Sequence, residues 1–336
     1  MKILTFENSG ISSLKSDPAR MSGRIKVITP DTLKQNPHGV VIFGLADDQG
    51  VKNVGGRPGA KEGPLAFRRK FFRFASLPLP FPLYDLGDLQ PESTIEATHG
   101  NAQEVIQLIH ASGHFPLIIG GGHDLAFAEA AALLHHMKTK SLNFINLDAH
   151  LDLRNTYNGI TSGSPWYLLA ELGSFKKSKS KLLEFGVQRQ CNTGELIEYA
   201  EKQKIEILWL QNLREKKSPL EKVLASRLKL GPTLVSLDID GVRWSDAPGC
   251  SAPQNTGFSS SEAIKMSTVA GKSKNVKSFG IYELSPPLDR DDQTAALVAR
   301  CAYAFLEGFA NRFKVLHSQV QSKDYGGKEK KARRRK

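Results

Sequence analysis

The sequence predicts an α/β protein built on a parallel sheet, and two observations carry that expectation. Apolar, β-favouring runs alternate with stretches patterned as helices from residue 40 onward, a succession that calls for right-handed crossovers between parallel strands. Three of those runs end in acids or imidazoles: Phe115–Ile119 before Gly120-Gly121-Gly122-His123-Asp124, Asn143–Leu147 before Asp148-Ala149-His150-Leu151-Asp152, and Thr233–Leu237 before Asp238-Ile239-Asp240. The C-terminal ends of strands are where open parallel sheets place their sites.

Taken in order, residues 1–37 are mixed and polar and settle into no clear pattern. Val40–Leu45 is the first strand. Asn53–Gly63, with four glycines, is a loop, and Pro64 suits the first turn of a helix through Phe72. Leu83–Leu86 is a short strand. Ser93-Thr94-Ile95-Glu96 has the form of a capping box and opens a helix to about Ala111, ended by Gly113. Strand 115–119, a helix from about Leu125 to Met137 and strand 143–147 follow. Arg154–Tyr167 is a loop. Strands are expected at 182–187, 205–210, 233–237 and 276–283, and helices at 195–202, 219–228 and 259–270. Ser245–Gly257 is a long loop beside the acid cluster. A last helix from Asp292 to about Arg312 carries Ala296, Leu297, Ala299, Ala302, Phe305 and Phe309 on one stripe.

The totals fit a soluble globular chain: 336 residues, 40% hydrophobic and 24% charged. The net charge of +12 is uneven. Half of it lies in the last 14 residues, from Lys323 on, with eight basic and two acidic side chains. The basic character is therefore largely a property of the tail, 321–336, which is expected to be disordered. Residues 1–320 are expected to form one catalytic domain. Cys191, Cys250 and Cys301 are odd in number and widely spaced, as in a reducing compartment with free thiols. The N-terminus has no apolar core of signal-peptide length, and no apolar run reaches the length of a membrane span. The reading is a cytoplasmic protein.

The chemistry lies in the three strand ends. Side chains two apart on an extended backbone point the same way, so Asp148, His150 and Asp152 are expected to face one point. Taken singly the pieces are weak: Asp238 and Asp240 also fit caps or solvated turn acids, and His123 a satisfied loop histidine. Jointly, His123, Asp148, His150, Asp152, Asp238 and Asp240 offer four carboxylates and two imidazoles that repel one another unless a cation sits among them. Hard oxygen with some nitrogen suits Mn²⁺, and Zn²⁺ or Fe²⁺ less well. The six ligands exceed what one tetrahedral ion takes, and bridging carboxylates hold ions about 3.5–4 Å apart. A water between two such ions loses a proton near neutral pH, so the expected reaction is hydrolysis at an electrophilic carbon.

Gly121-Gly122-His123-Asp124, Asp148-Ala149-His150-Leu151-Asp152 and Ser236-Leu237-Asp238-Ile239-Asp240 resemble, in order and spacing, the arginase/agmatinase (ureohydrolase) family over residues 40 to 312. The resemblance implies a three-layer α/β/α sandwich with a mostly parallel eight-stranded sheet. It also implies two Mn²⁺ per subunit on those six ligands, with Glu283 pairing the guanidinium or amidine nitrogen of the substrate. Phe43–Val51, Gly56-Arg57-Pro58-Gly59-Ala60, Asp152-Leu153-Arg154, Ser162-Gly163-Ser164-Pro165, Ala247–Pro253 and Ser285–Arg290 look like the formimidoylglutamase branch of histidine degradation. Where arginases carry an asparagine for an amino-acid head group, this chain has Arg154, whose guanidinium grips a carboxylate in two places; a structural ion pair is its other reading. Ser162 matches a family serine that contacts substrate carboxylate, or is an ordinary turn residue. Arginases also place a proton-shuttling histidine shortly after the Ser-Gly segment. Here Ser164-Pro165-Trp166-Tyr167 has none, which leaves Asp152 or metal-bound water as the proton donor.

The expected activity is therefore hydrolysis of N-formimidoyl-L-glutamate, an acidic amidine, to L-glutamate and formamide, with Asp152 and Glu283 as catalytic groups. Two other readings remain: an agmatinase or guanidino-acid ureohydrolase that releases urea, and a lapsed hydrolase that binds acidic partners through its basic tail. The tail has one aromatic, Tyr325, so specific nucleic-acid binding is not expected. The family is commonly oligomeric, and a homo-oligomer stays open.

Overall fold

The computed structural model describes residues 2–4, 16–137 and 141–332, with side chains given up to Phe313 except for Leu4. Ten strands join one sheet among the described residues: β1 (Ile3–Leu4), β2 (Ile25–Val27), β3 (Val40–Leu45), β4 (Leu83–Leu89), β5 (Phe115–Ile119), β6 (Asn143–Leu147), β7 (Lys181–Val187), β8 (Glu206–Trp209), β9 (Thr233–Asp238) and β10 (Val276–Tyr282). Their order is β1-β4-β3-β5-β10-β9-β6-β7-β8, with β2 also on β4.

The eight strands expected from the sequence are β3 to β10, and every pairing among them is parallel. The expected count of eight is corrected to ten. The two additions come from the N-terminal stretch whose pattern was unreadable. Both are short and lie on β4, β2 parallel and β1 antiparallel to it. Strands this short carry too few alternating residues to show a period.

Each central strand is buried on both faces, which is why these runs read as continuous rather than alternating hydrophobic sequence. Val40 and Ile42 of β3 point into one core, with Leu117, Ile119, Val235, Leu237, Phe279 and Ile281. Helices Gly63–Phe71, Leu220–Arg227, Ser260–Lys272 and the C-terminal helix cover it. Val41, Phe43 and Leu45 point into the other, with Ile118, Phe144 and Leu234, beneath helices Ile95–Ala111, Ala126–His136 and Gly194–Lys202. The result is the three-layer sandwich expected.

Some local expectations shift. The Ser93–Glu96 capping box is not made, because the helix starts at Ile95. Thr94 is its N-cap, and its side chain accepts a hydrogen bond from the Ala97 amide at 3.2 Å. A full capping box occurs instead at Ser259–Glu262. The C-terminal helix runs Gln293–Ala332. Side chains beyond Phe313 and residues 333–336 lie outside the described residues, and with them the character expected of the basic tail.

One buried cation ties a covering helix to the sheet. Arg68 grips Asp85 in two places, at 2.7 and 2.9 Å, and also donates to Asp88. Arg68 is 1% exposed and Asp85 fully buried. Replacing Arg68 with Met leaves two acids without their cation. The variant is expected to lose about 3–5 kcal/mol of unfolding free energy, measured by urea denaturation.

Candidate metal centre

Four neighbouring strands at the middle of the sheet, β5-β10-β9-β6, deliver the site. In chain order β5 is followed by β6, three places away, and the two places between are filled later by β9 and β10. That reversal of winding direction opens a crevice at the C-terminal ends of the strands.

His123 heads the short turn after β5 and is fully buried. Its Nε2 lies 2.9 Å from Ser236 Oγ. That contact aims Nδ1 at three acids: Asp152 Oδ2 at 2.7 Å, Asp238 Oδ2 at 2.9 Å and Asp148 Oδ2 at 3.3 Å. A second group forms alongside, with His150 Nδ1 at 3.1 Å from Asp240 Oδ2 and 3.5 Å from Asp148 Oδ1. Within each group the ligand atoms lie inside 4.8 Å of one another. Asp148 belongs to both and offers one oxygen to each.

The expectation that Asp148, His150 and Asp152 face a single point is thereby corrected. The chain stops being extended after β6: the His150 amide turns back to donate to Asp148 Oδ1 at 2.7 Å, and Asp152 adopts a left-handed φ of 47°. His150 and Asp152 go to different groups as a result. The backbone is unusual at Glu283 too, with φ 65°, and such strain in non-glycine residues concentrates at functional sites.

The electrostatics demand cations. Burial, with Asp240 and Asp148 nearby, pushes the Asp238 carboxyl well above the ordinary range. Burial pushes Asp240 up to about 7 against the pull of His150. Burial and Asp238 raise Glu283 well up. Asp148 is the exception: burial opposes its ionisation, but hydrogen bonds from His123 and His150 outweigh burial and hold its carboxyl low. Burial works against both imidazolium ions as well, yet the facing Asp238 and Asp240 raise His123 and His150 well above an ordinary histidine. The cluster takes up protons for want of other positive charge. Four aspartates match the charge of two divalent ions, and two neutral imidazoles complete an oxygen-rich donor set of the kind Mn²⁺ prefers. These residues fit a pair of such ions.

Glu283 is 3% exposed. Its Oε1 accepts from the His123 amide at 2.8 Å, and its own amide donates to Gly121 O at 2.9 Å. The glycine run permits this approach: a Cβ on Gly121 would lie 1.9 Å from Asp47 O, and one on Gly120 2.0 Å from the Tyr282 ring. A cleft of about 300 Å³ opens above, lined by His123, His150, Asp152, Asp238, Asp240 and Glu283, with Arg154, Ser162, Gly163, Arg57 and Ser251 also on its wall. Of the expected site residues only Asp148 does not line the cleft; it is buried between the two groups. The Arg154 amide donates to Gly163 O at 2.8 Å, and its side chain lies across Gly163, where a Cβ would meet Arg154 Cδ at 2.8 Å. Among the described residues no acid pairs with Arg154, so the structural ion pair considered for it is not made. The Ser162 amide donates to Gly50 O at 2.9 Å.

Several supporting residues went unassigned in the sequence. Ser236 orients His123, and Asn146 Nδ2 donates to Asp148 Oδ2 at 3.1 Å and to the buried Glu184 at 2.9 Å. Each stands two residues before a ligand, on the same face of its strand, and that spacing was a usable signal. Asp124 pairs with buried His99 at 2.7 Å; residues 25 apart gave no such signal. Trp166, in the Ser164–Tyr167 segment that lacks a histidine, is fully buried and meets the His123 ring edge-on at 5.9 Å. His114 lies buried with Nε2 at 2.8 Å from Leu33 O, a structural contact away from the site.

The model of the arginase family matches residues 38–307. This chain belongs to the arginase family. Formimidoylglutamase from Aeromonas hydrophila is 31% identical over 80% of this chain and 87% of that protein. Formimidoylglutamase from an Enterobacter species is 28% identical over 88% of this chain and 96% of its own length. Among solved structures, Trypanosoma cruzi formiminoglutamase with Mn²⁺ is 32% identical, covers 82% of this chain and 94% of that one, and superposes with a TM-score of 0.75.

Two outcomes test the metal centre. Because Asp148 serves both groups, Asp148→Ala is expected to drop bound Mn²⁺ to below about one per chain, whereas His150→Ala retains about one, measured by elemental analysis after dialysis. Protons also compete with metal here. Asp240 is raised to about 7, so the metal-free protein gains stability as pH falls from 7 toward the ordinary carboxylate range and loses it as pH rises. The gain in melting temperature on adding Mn²⁺ should therefore be larger at about pH 8 than at about pH 5.5.

Proposed function

We propose that this protein hydrolyses N-formimidoyl-L-glutamate to L-glutamate and formamide, with two Mn²⁺ per subunit held by His123, Asp148, His150, Asp152, Asp238 and Asp240. The reaction class, hydrolysis of a C–N bond in a linear amidine, follows from the family and from relatives named formimidoylglutamase or formiminoglutamase. The observation that carries the finer reading is the polarity of the cleft, with Glu283 as an acid beyond those a metal pair would offset and Arg154 on the wall with no acid partner among the described residues. A cationic amidine attached to a dicarboxylate is complementary to both ends.

When bound, the metal pair supplies Lewis acidity and a water acidified to near neutrality. The chain's own groups do the rest. Glu283, with Oε1 fixed by the His123 amide, keeps its other oxygen for an amidine nitrogen. An amidinium there restores the ionised carboxylate that burial disfavours, and the contact strengthens as the carbon becomes tetrahedral. Arg154 holds substrate carboxylate with help from Ser162. Asp152, on the cleft wall beside His123, takes the proton given up by the attacking water and passes it to the glutamate amine as it departs. The buried Trp166 keeps bulk water away from the His123 side of this exchange.

The enzyme is proposed to be cytoplasmic and to act on a small molecule, without need of nucleic acid or membrane, and to be one catalytic domain over residues 1–320. Its three cysteines are unpaired, and no helix among the described residues is long and apolar enough to cross a membrane.

The decisive assay offers Mn²⁺-loaded protein N-formimidoyl-L-glutamate, arginine, agmatine and guanidinobutyrate in parallel. Formamide from the first alone is expected; urea from any guanidino compound would overturn the substrate assignment. Arg154→Asn should raise KM for the diacid by about 10- to 100-fold, as loss of a charged hydrogen bond does, with metal content intact. Removal of residues 323–336 should leave turnover unchanged.

A further inference from the structure

The cleft wall carries a second arginine that the assigned residues do not account for. Arg57 sits in the loop after helix Gln49–Asn53 and lines the same cleft as Arg154. The backbone holds it in place: Nε donates to Ser251 O at 3.0 Å, one Nη to Cys250 O at 2.9 Å, and the Arg57 amide to Ser251 Oγ at 2.8 Å. Two of its five N–H groups are spent on these carbonyls, and the rest have no protein acceptor among the described residues. No acid pairs with it there either. A guanidinium fixed by neutral carbonyls keeps its full charge for a ligand.

We infer that Arg57 binds the second carboxylate of the substrate, so that Arg57 and Arg154 together select a dicarboxylate over a monocarboxylate. This rests on the proposed activity and deepens it. Arg154 comes from the loop after β6, and Arg57 reaches the cleft from the loop after β3, pinned to the 250–251 segment. Two cations on different loops of a cleft of only about 300 Å³ suit an anion with two separate charges better than one with a single charge. Arg57 and Arg154 carry the two guanidinium groups among the residues that line the cleft, so a second carboxylate finds its fixed cation in Arg57. Gly56 belongs to the same arrangement. A Cβ there would lie 2.8 Å from Ser251 Oγ, the group that accepts the Arg57 amide.

Arg57 also links two loops, so its role as a ligand must be separated from a role as a brace. Full-length Mn²⁺-loaded protein would be compared with Arg57→Gln and Arg57→Lys, each first checked for melting temperature and metal content. Kinetics on N-formimidoyl-L-glutamate would be run beside thermal-shift titration with glutarate and with butyrate. For Arg57→Gln the expected result is a KM higher by about 10- to 100-fold with kcat changed little, and glutarate affinity reduced to that for butyrate. Butyrate affinity itself should stay as in the parent, because Arg154 still holds one carboxylate. Arg57→Lys should recover part of the glutarate preference, since it keeps the charge while losing the planar fork. An unchanged KM and glutarate preference in Arg57→Gln would overturn the assignment. So would an equal loss for glutarate and butyrate, which marks a brace. Should the parent not turn over N-formimidoyl-L-glutamate, the proposed activity fails, while the glutarate-against-butyrate comparison still decides on Arg57.

Discussion

The structure depends on one constraint: four aspartates and a glutamate, nearly all buried, converge where the central strands end. In a medium of low dielectric such groups cannot all ionise without compensating positive charge. The raised carboxyls of Asp238, Asp240 and Glu283 and the raised imidazoles of His123 and His150 are two faces of that one imbalance. A rigid sheet is what makes it sustainable. The ligands are fixed to strands buried on both sides, and the repulsion cannot be relieved by letting them swing apart into water.

Orientation comes from the residues just inside the ligands. Ser236 and Asn146 stand two residues before Asp238 and Asp148 on the same strand faces and hold His123 and Asp148 by hydrogen bonds. Left-handed backbone at Asp152 and Glu283 then re-aims two side chains that a straight strand would have sent elsewhere. Conformational strain of this kind costs of order 1–3 kcal/mol per residue and persists only where surrounding contacts over-determine it. Here the contacts are visible: the Glu283 amide is tied to Gly121, and its carboxylate to the His123 amide.

The cleft reverses its charge from floor to wall. Glu283 lies below, a carboxylate beyond those a metal pair would offset, while Arg154 and Arg57 lie on loops around the opening with no acid partner among the described residues. This gradient orients a ligand that is positive at its reacting end and negative at the other, and it disfavours the opposite orientation by like-charge contact. Family membership alone does not set such a preference, since it is carried by the loops rather than by the sheet.

Much of this was legible in the chain itself. Eight strands and all six candidate ligands could be read because each rests on local pattern, while the three-layer sandwich was implied by the family resemblance. Long apolar runs mark strands buried on both faces, and an acid or imidazole directly after such a run must emerge at the strand's end. Three things were decided only by tertiary structure. The order of strands set which ends became neighbours, which joined His123 to Asp152 and Asp238 and sent His150 to Asp240. The departure from extended backbone at Asp152 split one apparent ligand triplet between two groups. The pairing of Asp124 with His99 and the pinning of Arg57 to Cys250 and Ser251 join segments far apart in the chain. The physical reason is common to all three: local sequence fixes the direction in which a side chain leaves the backbone, but the charge and hydrogen-bond partners it meets are supplied by segments that only folding brings near.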